Sequence, residues 1–289
     1  MERVSVGVIA TDAHGQFIEG LRREDFRVFD DGVEQPLTDF APVDDPAAVF
    51  LLFEAGPAVV LLESGHLRAA SALLDGLAPA DSVAIAAYAA KPLPVLEFTA
   101  DKQAAASALA NVRFNIGFGS LNLSESLATV LGWLAAVPGK KTVVLLSTGV
   151  DTSSASAWEN LLLQLRSGDV RVLAVSLAGE LRPAPSSKKQ KASSAASSAD
   201  AGFAEADARL SAIAEASGGR VLFPRTAAEF FAAFAQIALL VRHEYSLAFA
   251  PPVRDGKLHS IEVRISPAAD SRADAVLRLS HRRAYLAPR

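Results

Sequence analysis

Cysteine is absent from the chain, which removes thiolate catalysis, cysteine-ligated zinc and any disulfide framework in one step. Its absence does not identify a compartment. No basic run is long enough to neutralise a row of phosphates, and 28 Lys+Arg against 32 Asp+Glu leave a formal charge of −4. Nucleic acid is therefore not expected as a partner. Long hydrophobic runs are missing as well: residues 47–53 and 58–62 fall far short of the ~20 apolar residues of a membrane-spanning helix. A soluble chain with no membrane insertion is the expectation. No apolar segment precedes the alternating stretch that begins at Val4, so the protein is expected either to be intracellular or to have a signal segment outside this sequence.

Catalytic motifs are equally scarce. No G-x-S-x-G elbow occurs, and the five histidines, His14, His66, His243, His259 and His281, form no H-x-x-x-H pair. They are expected to be exposed or internally satisfied imidazoles. Ser64-Gly65-His66 beside Glu63 is triad-like only in letters, because neighbours on a helix point in different directions. Gly117-Phe118-Gly119-Ser120 lacks the third glycine of a dinucleotide fingerprint and reads as a turn. Pro138-Gly139-Lys140-Lys141-Thr142 precedes a strand instead of opening a helix. Lys140 and Lys141 read as solvated residues at that strand's entry.

What is present is a large apolar payload. Hydrophobic residues make up 51% of 289 positions, with a mean hydropathy of +0.26, enough to offset the entropy of ordering the chain. The first ~43 residues alternate with period two and turn at Asp12-Ala13-His14-Gly15 and Asp30-Asp31-Gly32. The final ~48 behave likewise, with Tyr245/Leu247/Phe249, Ile261/Val263/Ile265 and Ala275/Leu277/Leu279 alternating. Neither set can bury a face alone. Between them, apolar runs alternate with helical stripes such as Leu123, Leu127, Val130, Leu131 and Leu134, the pattern of a parallel sheet covered on both faces. The fold expected is a doubly wound α/β unit of five or six strands, inserted into a small β-sandwich made by the two chain ends. The corresponding division is 1–45, 46–241 and 242–289. Residues 181–201, with Lys188-Lys189-Gln190-Lys191 and a Ser/Ala tract, lack apolar periodicity and are expected to be a mobile surface loop.

An ordered set of short motifs adds to this reading. Asp25-Phe26-Arg27-Val28-Phe29-Asp30-Asp31-Gly32, Leu77-Ala78-Pro79-Ala80-Asp81-Ser82-Val83, Ser217-Gly218-Gly219-Arg220 and the terminal Arg283-Ala284-Tyr285-Leu286-Ala287-Pro288 together resemble bacterial, acidobacterial-type von Willebrand factor A (VWA) related proteins, over nearly the whole chain. The resemblance implies a metal-ion-dependent adhesion site (MIDAS), in which Asp-x-Ser-x-Ser, a threonine and a later aspartate hold a divalent cation. At those positions stand Glu54, Gly56 and Ala58, then Leu121 in Gly119-Ser120-Leu121-Asn122-Leu123, then Thr148 in Leu146-Ser147-Thr148-Gly149.

All five positions depart from the family pattern, and one carboxylate remains. Hard cations need more oxygen ligands than this, so no metal and no cofactor are expected. A rearranged shell of Glu54, Ser120, Ser147, Thr148 and Asp151 is the alternative. The function expected is a non-catalytic protein-interaction module, binding an unknown protein partner through Glu54, Pro57, Phe118, Ser120, Leu121, Thr148 and Asp151. Two other classes stay open: metal-dependent adhesion or ligand capture with an unusual shell, and an α/β enzyme. The resemblance also implies an extracytoplasmic, secreted or periplasmic, location.

Overall fold

Residue period decides which segments become strands and which face each side chain takes. The computed structural model describes residues 3–43, 45–60, 65–112, 119–182, 194–266 and 277–288. In chain order the strands are β1 (Val4–Thr11), β2 (Phe26–Asp30), β3 (Val33–Gln35), β4 (Leu37–Val43), β5 (Ala47–Glu54), β6 (Ser82–Tyr88), β7 (Pro92–Thr99), β8 (Lys140–Ser147), β9 (Val170–Ser176), β10 (Arg220–Leu222), β11 (Glu244–Phe249), β12 (Leu258–Ile265), β13 (Arg278–Ser280) and β14 (Ala284–Leu286). The helices are α1 (Pro57–Val60), α2 (Gly65–Gly76), α3 (Lys102–Ala110), α4 (Leu123–Leu134), α5 (Ala155–Ser167), α6 (Ala178–Leu181), α7 (Ser194–Ser217) and α8 (Ala227–Arg242).

The central sheet has the order β10-β9-β8-β5-β6-β7. Every neighbouring pair is parallel except β6 with β7. All eight residues of β5 are buried, and they divide by period two. Val49, Leu51 and Phe53 pack with α2 and α8 residues such as Leu73, Phe230 and Phe234 on one face. Phe50 and Leu52 pack with Leu127, Leu161 and Leu210 of α4, α5 and α7 on the other. Helix starts follow side-chain chemistry: Asp101 accepts from the Gln103 and Ala104 amides at α3, Ser154 from Ala157 at α5, and Thr226 from Glu229 at α8.

The chain ends close around this unit as two antiparallel sheets, β13-β1-β11-β4 and β14-β12-β2-β3. They share a core of Val6, Val8, Phe26, Val28, Tyr245, Leu247, Phe249, Ile261 and Tyr285. Each sheet mixes strands from both ends of the chain, so the sandwich is built on long-range pairings that span the α/β unit.

Two expectations need correction. Residues 181–201 are not one loop: Leu181 closes α6, and the Ser/Ala tract from Ser194 opens the 24-residue α7, because alanine has high intrinsic helix propensity and needs no apolar stripe to extend a helix. The lysine run at 188–191 lies outside the described residues. Lys140 and Lys141 are not solvated. Their side chains are 8% and 7% exposed and pair with Glu244 and Asp169, counter-charges supplied by β11 and by the turn before β9.

Candidate functional site

In an open α/β sheet the crevice lies beyond the strands' carboxyl ends, where the chain switches direction across the sheet. Here that switch falls between β5 and β8: from β5 the chain runs outward through β6 and β7, then returns to β8 on β5's other side. Glu54 ends β5 and Ser147 ends β8, so the register that pairs Phe53 with Leu146 sets Glu54 beside Ser147 and Thr148. Glu54 also stands opposite Tyr88, the last residue of β6.

The Glu54 carboxylate is fully surrounded by donors. Its Oε2 accepts from the Thr148 amide at 2.7 Å, the Ser147 hydroxyl at 3.0 Å and the Tyr88 hydroxyl at 3.3 Å. The Thr148 hydroxyl lies 2.9 Å from both carboxylate oxygens. Ser147 Oγ is itself 2.8 Å from the Tyr88 hydroxyl and accepts from the Gly149 amide at 2.9 Å. Burial pushes the Glu54 carboxyl above the usual carboxylate range, more than the donors from Thr148, Ser147 and Tyr88 pull it down. The same burial, with the neighbouring Glu54 charge, holds the Tyr88 phenol well above its ordinary value.

Leu121 closes the crevice from the side. Its residue is held by reciprocal bonds with Thr152: the Leu121 amide donates to Thr152 Oγ1 at 2.9 Å, and the Thr152 amide donates to Leu121 O at 2.8 Å. A Cβ added at Gly56 would lie 3.2 Å from Leu121 Cδ1, so the isobutyl group fills the space that a longer residue at 56 would enter. Gly56 is followed directly by Pro57, the first residue of α1, where its fixed φ suits the start of a helix.

The other sequence-predicted residues are placed unequally. Asp151 is engaged by α4, accepting from the Ser124 hydroxyl and amide, and from the Ser153 amide at 3.0 Å. Partial burial raises its carboxyl, but the Ser124 and Ser153 donors together outweigh this and leave it below the usual range. Ser120 and Pro57 are exposed at the rim. Ala58 lies within α1, and Phe118 lies outside the described residues. Glu54, Thr148 and Leu121 are thus brought together, whereas Asp151 has partners of its own. Two contributors escaped the sequence reading. Tyr88 lies in the apolar run of a buried strand, and only the β5/β6 register pairs it with Glu54. Val150 is 47% exposed at the rim, and an isolated valine in a loop carries no local signal.

No protein-family model matches the chain, and no curated protein matches it in sequence. Solved structures do match in fold. A von Willebrand factor type A structure from Catenulispora acidiphila is 12% identical with a TM-score of 0.53, covering 94% of this chain and 76% of that one. Proximal thread matrix protein 1 from the mussel byssus, described with a zinc-occupied MIDAS motif, is 15% identical with a TM-score of 0.52, covering 73% of this chain and 50% of that one. At these identities the likeness speaks to architecture alone: the chain has a VWA-type α/β fold, a mostly parallel sheet between helices, with additional antiparallel sheets.

Proposed function

We propose that this chain is a non-catalytic protein-interaction module of the acidobacterial VWA type, working outside the cytoplasm, whose apex engages a partner without a divalent cation. The observation that supports it is the Glu54 carboxylate, whose oxygens are already taken up by the Thr148 amide and by the Thr148, Ser147 and Tyr88 hydroxyls. Mg²⁺ demands near-octahedral oxygen coordination and gives up water reluctantly. Of the five family positions only Glu54 and Thr148 carry a side-chain oxygen, and those two bond each other. Leu121 over Gly56 brings methyl groups to the place where hydroxyl ligands would stand. What remains outward is a rim of Pro57, Ser120 and Val150, suited to apolar contact and backbone hydrogen bonding. The unit doing this is residues 46–241, carried on a sandwich of 1–45 and 242–289.

Calorimetric titration of the chelator-treated protein with Mg²⁺, Mn²⁺ and Ca²⁺ tests the metal-free apex. No saturable binding that depends on Glu54 is expected. Binding abolished by Glu54→Gln would instead establish the second reading, a cation held in a rearranged shell of Glu54, Ser120, Ser147, Thr148 and Asp151. Because the chain has no cysteine, Val150→Cys provides a unique attachment point for a thiol-linked photocross-linker. The partner is expected to be captured from that position and not from Val33→Cys on the sandwich; equal capture from both would remove the apex from the interaction.

A further inference from the structure

A second constellation lies on the sandwich, far in sequence from the apex residues. The hairpin β2–β3 turns through Asp31 and Gly32, both at positive φ (46° and 80°), the geometry of a two-residue type I′ turn that Asp-Gly favours. The turn presents Asp30 and Asp31 to β12, whose Ile261 pairs with Asp30 and whose His259 lies two residues earlier. Each carboxylate divides its two oxygens. Asp31 Oδ1 accepts from the Ser260 amide and hydroxyl, both at 2.8 Å, while Oδ2 lies 2.9 Å from His259 Nδ1. Asp30 Oδ2 accepts from the Tyr285 hydroxyl at 2.9 Å, while Oδ1 lies 3.7 Å from the same Nδ1. Asp30 is 3% exposed, and its Oδ1 is buried with no hydrogen-bond partner among the described residues.

A buried carboxylate oxygen without a donor is costly unless something positive completes it. The far side of the imidazole is occupied: His259 Nε2 lies 3.1 Å from Asp255 Oδ1. Nδ1 is paired with Asp31 Oδ2 at 2.9 Å and faces the unpartnered Asp30 Oδ1; with the remaining proton on Nε2 and donated to Asp255, a cation could take the place of the Nδ1 proton between these three atoms. This is the carboxylate–histidine arrangement that orients imidazole ligands in metal centres.

We propose that Asp30 Oδ1, Asp31 Oδ2 and His259 Nδ1 form a zinc site, with Asp255 as the positioning residue for the imidazole. Nitrogen and oxygen ligands at about 2.0–2.2 Å from Zn²⁺ stand about 3.3–3.6 Å from one another in a tetrahedral shell and about 2.8–3.1 Å in an octahedral one. Of the two measured edges at Nδ1, 2.9 Å falls within the octahedral span and 3.7 Å lies just beyond the tetrahedral one, and all three ligand atoms lie within 4.8 Å of each other. An imidazole in the set selects Zn²⁺ over Mg²⁺ or Ca²⁺, which prefer all-oxygen cages. Three protein ligands leave one tetrahedral position for water or for a donor from a partner. The bound ion would tie the β2–β3 hairpin to β12 and satisfy Asp30 Oδ1.

The test is Zn²⁺ titration of the chelator-treated full chain by calorimetry, with Co²⁺ visible absorption as a report of nitrogen and carboxylate ligation. Saturable one-to-one Zn²⁺ uptake is expected, abolished by His259→Ala and by Asp31→Asn. Asparagine tolerates positive φ as aspartate does, so Asp31→Asn keeps the turn and decides the matter even where His259→Ala does not fold. Asp255→Asn is expected to weaken binding 10–100-fold, and Glu54→Gln to leave it unchanged. Absence of Zn²⁺ uptake by the unsubstituted chain, uptake undiminished in Asp31→Asn, or uptake lost in Glu54→Gln would each overturn the assignment, the last by moving the ion to the apex.

Discussion

Glu54 is an ionisable side chain only 1% exposed, and its neighbours explain why the site tolerates it. Four donor groups from Thr148, Ser147 and Tyr88 face the carboxylate, so Glu54→Ala leaves buried donors unmade. It is expected to cost at least about 1–3 kcal/mol, read as a lower urea midpoint with unchanged slope. His281 makes a complementary case on the sandwich. Its Nδ1 donates to Arg282 O at 2.8 Å and its Nε2 accepts from the Val263 amide at 3.2 Å, with Arg283 Nη1 at 3.4 Å. The neutral tautomer is thereby fixed. Burial pulls its value down to about 4, and the nearby Arg283 charge adds to this against the upward pull of the Arg282 carbonyl. The unfolded chain binds a proton below pH 6.5 that the folded chain refuses until about pH 4, so stability falls as pH drops through that window. The loss is expected to reach about 3 kcal/mol. His281→Gln should flatten the urea midpoint against pH between these limits.

Elements were legible wherever one period dominated. The apolar run of β5 and the stripe of α4 locate themselves, and the resemblance to the VWA pattern assigns Glu54, Leu121 and Thr148 to one site. The start of α7 was not legible, since Ala-rich helix and polar linker share a composition until packing separates them. Nor was the Asp30, Asp31 and His259 cluster: Asp30-Asp31-Gly32 reads as a turn, and His259 joins it only through the register of β12 on β2. Lys140 and Lys141 looked solvated for the same reason, because Glu244 lies 104 positions beyond Lys140 and Asp169 lies 28 positions beyond Lys141, and no local window contains both sides of either contact. Glycine offers a sharper test at this scale. Gly149 sits at φ +81°, and a Cβ there would be 2.4 Å from the Ala206 carbonyl oxygen of α7, whereas Gly20 at φ +78° has open space around it. Gly20→Ala is expected to show backbone strain alone, about 1 kcal/mol. Gly149→Ala adds displacement of α7 and is expected to cost more than that. Equal losses in denaturant would mean that the loop after β8 moves freely.

The whole molecule depends on how the inserted unit is fastened to the sandwich. Glu244 opens β11 and is 12% exposed, facing Arg171 of β9 at 9% and Lys140 of β8 at 8%. Further ties run from Arg282 to Gly168 O at 3.2 Å and to Ser5 O at 2.6 Å, from Arg220 to Thr11 Oγ1 at 2.9 Å, and from Gln236 to Gly15 O at 2.7 Å. Burial raises the Glu244 carboxyl, but Arg171 and then Lys140 outweigh it and hold the group below the usual carboxylate range. Its contribution is therefore present above the unfolded value of 4.5 and lost as pH falls through the lower folded value, starting at the acid end of the window in which His281 acts and continuing below it. Glu244→Gln leaves two buried cations against one neutral amide. Removing one partner of a buried pair costs about 3–5 kcal/mol, while replacing the pair by apolar groups is often neutral. Glu244→Gln is thus expected to destabilise the chain by that amount, and Glu244→Leu combined with Arg171→Met and Lys140→Met, which leaves no stranded cation, to recover most of it. If the charges merely decorate the junction, the single variant will unfold at the same urea concentration as the parent. If they fasten it, the single variant will unfold early and the triple variant will not, because the penalty lies in the stranded cations and not in the loss of attraction.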